Sequence, residues 1–218
     1  MPTILASDII GKAAILLQDT TNVRWPQAEL LGWLNDGQRE IVVARPDQTA
    51  KYATISMVAG TRQSLPTDGS ELLRVTRNMG TSGTVPGTAV RKVPHDLLDS
   101  QLPGWHSSAP AATIKHYTYE PRAPRSFYVY PPSDGTSQLE ILYACPPTAI
   151  ATVGGLITID DIYANALLDY VAFRAYSKDL EEAGNSERAA LHRKMFVEGL
   201  QAKSASDGAV MPKDQVHG

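Results

Sequence analysis

The sequence holds a single cysteine, Cys145, which excludes an internal disulfide framework, and no CxxC or Cys/His spacing suggests structural zinc. Cys145 ends an apolar, strand-like run, where a cysteine serves as a small core residue rather than a nucleophile. No stretch approaches the roughly 18 apolar residues of a membrane-spanning helix, so no membrane partner is expected. The N-terminus lacks a charged-then-apolar signal pattern, so synthesis in a cytoplasm is expected. Positive charge is not in excess: 20 Lys and Arg face 23 Asp and Glu, a net charge of -3. That excludes a broadly basic nucleic-acid coat, although a local basic strip fits within a balanced total. Proline is missing from Thr148 to Met211, which leaves that stretch free to be helical.

What is present is ordinary for a globular chain: 218 residues, 43% hydrophobic and 20% charged. This suffices for one substantial domain, or one with a second inserted in it, and disorder is a poor reading for most of it. Of the 15 prolines, 11 lie between Pro66 and Pro147, so the middle is expected to be non-helical and the flanks helical. In the first flank, Leu5, Ile9, Ala13 and Leu16 recur at helical spacing, with Ser7 and Asp8 suited to a first turn. After a polar break at Asp19 to Asn22, a second helix starts at Pro26 with Glu29 behind it. Leu30, Leu34, Ile41 and Ala44 line one face, and Pro46 closes it.

From Tyr52 the period becomes two: Tyr52, Thr54, Ser56 and Val58 alternate with Ala53, Ile55, Met57 and Ala59 before Gly60 and Thr61 turn the chain into a hairpin. Further strands are expected at Leu72 to Met79, Ala89 to Val93, Thr113 to Tyr119, Phe127 to Tyr130 and Leu139 to Ala144, with a short helix from Pro94 to Ser100. Six strands suggest a small antiparallel sheet, sandwich or open barrel. The last flank returns to helix after Asp160 and Asp161, with Ile162, Ala166, Leu167, Tyr170, Val171 and Ala175 making it the most buried helix. A final helix from Ser186 to Lys203 carries Ala190, Met195, Phe196 and Leu200, and residues 204–218 read as a flexible arm. The expected fold class is α+β: a four-helix bundle formed by N- and C-terminal helix pairs, with an inserted antiparallel β region. Its expected parts are a helical hairpin at 1–48, a β domain at 49–155, C-terminal helices at 156–203 and the arm at 204–218.

Candidate chemistry competes with plainer roles. Asp160 and Asp161 form a carboxylate pair, but acids before a long apolar helix usually cap its free amides. His95 with Asp96 and Asp99 can be drawn as a base with orienting acids, and His106 and His116 as metal ligands. No GxSxG or HExxH accompanies them, and no two histidines share a helix face, so no catalytic, cofactor or metal site is expected. Gly80 to Gly83 and Gly154 to Gly155 lack the following lysine-serine or lysine-threonine pair of a phosphate cradle and read as turns. Arg74, Arg77, Arg91, Lys92, Arg122 and Arg125 lie in or beside strands, where solvated sheet edge is the favoured use. Trp25, Trp33 and Trp105, with the aromatics of YEPRAPRSFYVY, are large enough to anchor subunit contacts or to fill a core.

The segments LLQDTTNVRWPQAELLGWLNDGQREIVVARP, RVTRNMGTSGTVPGTAVRKV, PGWH, YEPRAPRSFYVYPP and ITIDDIYANALLDYVAFRAYSKD follow one another along the chain. In that order they resemble the head-to-tail adaptor family of short-tailed bacteriophages, a similarity that extends over roughly residues 5 to 200. Pro26 departs from the threonine or serine cap of relatives, which touches only the local helix start. The resemblance implies a structural virion protein at the head-tail junction, made in the bacterial host, that forms a ring of about twelve copies by head-to-tail contacts. The implied partners are the portal protein above, a tail or nozzle protein below, further copies of the chain, and genomic DNA passing without specific binding. On this reading Trp25, Trp105, Tyr119, Arg122, Arg125 and Tyr128 are candidates for subunit contacts. Ser204, Val210, Met211, Pro212 and Lys213 are candidates for a portal-contacting arm. A stopper or tail-completion protein, a ligand-binding β domain with helical flanks, and an enzyme using His95 or His116 are the competing classes.

Overall fold

The structure is a computed structural model that describes residues 2–210, with side chains through Ala202. It is α+β, with five α-helices and two sheets. The chain divides into two compact units, one made of the residues up to Arg45 with those from Pro147 onward, the other of Pro46–Pro146.

In the first unit, α1 spans Ala6–Leu16 and α2 spans Gln27–Ala44. Leu5 occupies the cap position of α1, and the Asp8 carboxylate accepts from its N–H at 3.2 Å, satisfying one free amide of the first turn. The buried face is Ala6, Ile9, Ile10, Ala13 and Ala14, whereas Leu5 and Leu16, the ends of the expected stripe, are exposed. Pro26 caps α2 without a side-chain hydrogen bond, and the face it buries includes Leu30, Trp33, Leu34, Gln38 and Ile41 but not Ala44. Helix α4, Ala164–Lys178, packs against α1, α2 and α5, and buries Ala166, Leu167, Tyr170, Val171, Ala172 and Ala175.

The last helix, α5, spans Asn185–Val210, so the backbone of Ser204 and Val210 continues the helix beyond the expected end at Lys203. Met211, Pro212 and Lys213 lie outside the described residues. Among the described side chains of α5, Asn185, Ala189 and Phe196 are buried, and Met195 is turned outward.

Residues 147–159 are held to α2 by two buried or half-buried amides. Asn35 donates to the Ile150 carbonyl at 3.1 Å and accepts from the Ile150 N–H at 2.8 Å. The Gln38 carbonyl oxygen, on a side chain with no exposed surface, accepts from the Thr158 N–H at 2.7 Å and its hydroxyl at 3.0 Å. These bonds seat Ile150, Ile157 and Ile159 in the same core as α1, α2 and α4.

The second unit has seven strands rather than six. The first sheet has the order β1 (Ala50–Ser56), β7 (Gln138–Ala144), β3 (Glu71–Asn78) and is antiparallel. The other has the order β2 (Gly60–Ser64), β6 (Ser126–Ser133), β5 (His116–Tyr119), β4 (Arg91–Lys92). β4 runs parallel to β5, so the β region is mixed rather than wholly antiparallel. The expected hairpin at Gly60 does not form: β1 pairs with β7 and β2 with β6, so the chain crosses from one sheet to the other there. Gln63 fixes that crossing, accepting from the Val58 N–H at 2.9 Å and donating to the Val58 carbonyl at 2.8 Å. Such a side chain gives the backbone an alternative to the two-residue hairpin ladder.

Leu72, Val75, Leu139, Ile141 and Tyr143 from one sheet meet Tyr117, Phe127 and Val129 from the other, making a sandwich core. Asn78, buried at the end of β3, donates to the Ile114 carbonyl and accepts from the Ile114 N–H, both at 2.8 Å. The short helix α3, His95–Gln101, follows Pro94 as its cap residue.

Candidate functional site

The histidine and carboxylate candidates of the β unit are brought together only in part. Helix α3 places His95 and Asp99 four residues apart, on one face, with Nε2 3.6 Å from the carboxylate. Asp99 also accepts a hydrogen bond of 2.8 Å from the indole Nε1 of Trp105. Trp105, in the single turn Trp105–Ser107, is 1% exposed. His106 stacks on it at 3.7 Å between centroids, and His95 and Tyr128 meet it edge-on at 5.8 and 6.2 Å. The His106 Nδ1 lies 2.9 Å from Thr61 Oγ1, and no carboxylate bonds that ring among the described residues. The Asp99 carboxylate thus orients an indole, not an imidazole that faces a nucleophile. The chemistry of the cluster is packing: an aromatic plug holds α3 and the following turn against β6.

His116 lies apart, stacked on Tyr130 at 6.3 Å, with its Nδ1 buried and without a hydrogen-bond partner. Burial pushes its pKa down, and the positive charges of Arg91 and Lys115 add to the effect, so the neutral imidazole is favoured. Asp96 remains exposed in the first turn of α3. Among the described residues no group of three or more His, Cys, Asp or Glu is placed to hold a metal ion. No described helix is long and apolar enough to cross a membrane.

The two aspartates before α4 divide their work. Asp160 caps, its Oδ1 accepting from the Ile162 N–H at 3.1 Å. Asp161 instead accepts from the Thr3 N–H at 2.9 Å and the Thr3 hydroxyl at 2.6 Å, tying the N-terminal segment down. Those hydrogen bonds hold its carboxyl below the ordinary range. The sequence reading missed Asp19, whose carboxylate accepts from the N–H groups of Val23, Arg24 and Trp25 at 3.0, 2.9 and 2.7 Å. Desolvation raises its pKa, yet the three donors outweigh that and leave it lowered. The signal was present in its place after an apolar helix, where acids and asparagines commonly organise loops.

Of the six candidates for subunit contact, two are turned inward. Trp25 is 5% exposed, tilted against Trp33 at 5.8 Å and flanked by Arg24 and Lys178 at 5.7 and 5.6 Å from its ring. Trp105 fills the plug described above. Both indoles are packed within their own units. Tyr119 and Tyr128 are half-buried, and burial raises the pKa of Tyr119. Arg122 and Arg125 are exposed on the turn between β5 and β6. That turn is the most exposed part of YEPRAPRSFYVY.

These features define a class: an α+β protein of two separately cored units, in which aromatic rings and buried amides serve packing and loop anchoring while charged turns reach solvent. Residues 4–214 match the family model described as SU10 adaptor protein. The chain belongs to that family, which is a phage head-to-tail adaptor family, and so is a phage adaptor protein. Among curated proteins none matches.

Proposed function

We propose that this adaptor assembles as a closed ring beneath the portal of a tailed phage, joins the capsid to the tail at the neck, and leaves an axial channel for DNA. The observation that carries the reading is the family match over residues 4–214, which takes in both units rather than a single module. Helices α1, α2, α4 and α5 read as a four-helix bundle, the rigid wedge that a ring needs, and the β sandwich as its insertion. Val23 and Val43, 81% and 83% exposed in the helical unit, are available to subunit contacts, although single exposed apolar residues are ordinary on a monomer. Arg122 and Arg125 are the proposed subunit contacts from the β5–β6 turn, and the segment from Ser204 to Lys213 the proposed portal contact. A net charge of -3 suits a channel past which DNA must slide, since each neutralised phosphate adds affinity.

The test is the mass of the full chain, alone and mixed with portal rings, by light scattering and negative-stain microscopy. Rings formed on the portal are the expected result. A chain that stays monomeric and ignores portal rings under all conditions refutes the proposal.

A further inference from the structure

The β unit carries a groove of about 440 Å³ between β2 and the β5–β6 turn. Its lining includes Arg62 and Arg125, the hydroxyls of Ser64 and Thr67, and an apolar floor of Leu65 and Pro124. No acid lines it, and neither arginine has an ion-pair partner among the described residues. Arg24, Arg39, Arg77, Arg174 and Arg193 each meet a carboxylate, whereas Arg62 and Arg125, like Arg74, Arg91, Arg122 and Arg188, have no ion-pair partner among the described residues. Two unpaired guanidinium groups beside an apolar floor suit a carboxylate-bearing occupant, because the planar fork of arginine matches a carboxylate and its weak hydration lowers the cost of covering it.

The helical unit carries the complementary piece. The loop between α4 and α5 reads Asp179, Leu180, Glu181, Glu182, the densest run of acids in the chain. Leu180 is 56% exposed, and Glu181 has no ion-pair partner among the described residues. Asp179 and Glu182 share the one guanidinium of Arg24, so the loop stays net negative. The same polarity holds for the units as wholes: nine Lys and Arg face eight Asp and Glu in residues 46–146, against eleven and fifteen in the rest.

We infer that the groove lined by Arg62 and Arg125 receives the acidic loop 179–182 of a second copy of this chain, with Leu180 on the apolar floor. The inference rests on the ring reading above and names its contact. The two patches are different surfaces of one chain, so the contact is heterologous, the type that a closed ring is built from. The apolar floor argues against a nucleic-acid backbone as the occupant, since phosphates would leave Leu65 and Pro124 uncovered whereas Leu180 covers them.

The test uses two full-length charge-reversal variants, Arg62→Glu/Arg125→Glu and Glu181→Arg/Glu182→Arg, with folding checked by circular dichroism. Each alone sets like charges against each other and is expected to weaken ring assembly, alone or on portal rings, by about tenfold or more. Mixed one to one they complement, because the acidic groove of one meets the basic loop of the other and the reciprocal contact is native. Alternating rings should then return, which a merely misfolded variant would not produce. Arg62→Gln/Arg125→Gln serves as a milder second groove variant if the reversal unfolds, with a severalfold loss expected and undiminished assembly counting against the proposal. Full assembly by either reversal variant alone, or failure of the mixture to restore it, overturns the contact but leaves the ring intact. Normal assembly with lost binding to a short DNA duplex makes the groove a phosphate site instead. Failure of the wild-type chain to assemble under any condition refutes the ring reading itself.

Discussion

Replacing Trp105 by alanine tests whether this indole holds a fold or an interface. The side chain is 1% exposed and is enclosed by His95, His106 and Tyr128. Truncating a fully buried tryptophan removes its transfer free energy and leaves a cavity, a loss of about 3–5 kcal/mol. Trp105→Phe separates the terms: it keeps most of the apolar volume but deletes the 2.8 Å bond to Asp99. Asp99 is half-exposed and can turn to water, so about 1–2 kcal/mol is expected for Phe. The assay is urea unfolding of the monomeric chain, followed by hydrogen exchange of the β5, β6 and β7 amides so that the β unit is read separately from the helices. A loss under about 1 kcal/mol for Trp105→Ala, together with a defect in assembly, would show that the indole works between subunits and refute the packing argument.

Three further outcomes follow from the geometry. Gln38→Leu removes the acceptor of the half-buried Thr158 N–H and should cost about 1–2 kcal/mol in thermal or urea unfolding, with the local loss seen first as faster exchange in residues 148–159. His116 has a folded pKa below its unfolded value of 6.5, so the unfolded chain binds more protons beneath that pH. Stability should therefore fall as pH drops below about 6.5, and His116→Phe should remove that part of the slope in denaturation series at pH 5 to 7. Replacing residues 46–146 by a short Gly/Ser linker should leave a folded helical unit, detected by circular dichroism and cooperative melting.

Helices and strands were legible where one period dominated. The α2 face at Leu30, Leu34 and Ile41 and the short α3 after Pro94 lie where spacing and proline chemistry put them. The hairpin at Gly60 was misread because alternation and a glycine specify a turn but not the partner strand. Pairing of β1 with β7, some ninety residues away, is a tertiary choice that local pattern does not encode. The amides of Asn35, Gln38, Gln63 and Asn78 were silent for the same reason, since their partners are distant or irregular backbone. At the site, residue type singled out Trp105, Tyr128, His95 and His106 separately but not their packing together, because aromatic residues serve cores and interfaces alike.

The register of β1 with β7 also explains how a chain can carry so long an insertion. Ala50 pairs with Ala144, and the Thr49 hydroxyl donates to the Cys145 carbonyl at 2.5 Å, so the β unit brings its own first and last residues side by side. An unfolded segment of that length would charge the helices a closure entropy growing as (3/2)RT ln n, about 2–3 kcal/mol more than a tight connection. Once β1 and β7 have paired, that cost has been met inside the β unit, and the helices close as if across a short loop. The closure term is therefore one contribution by which unfolding the β unit should weaken the helical unit, of about this size and, by linkage, equal in the reverse direction.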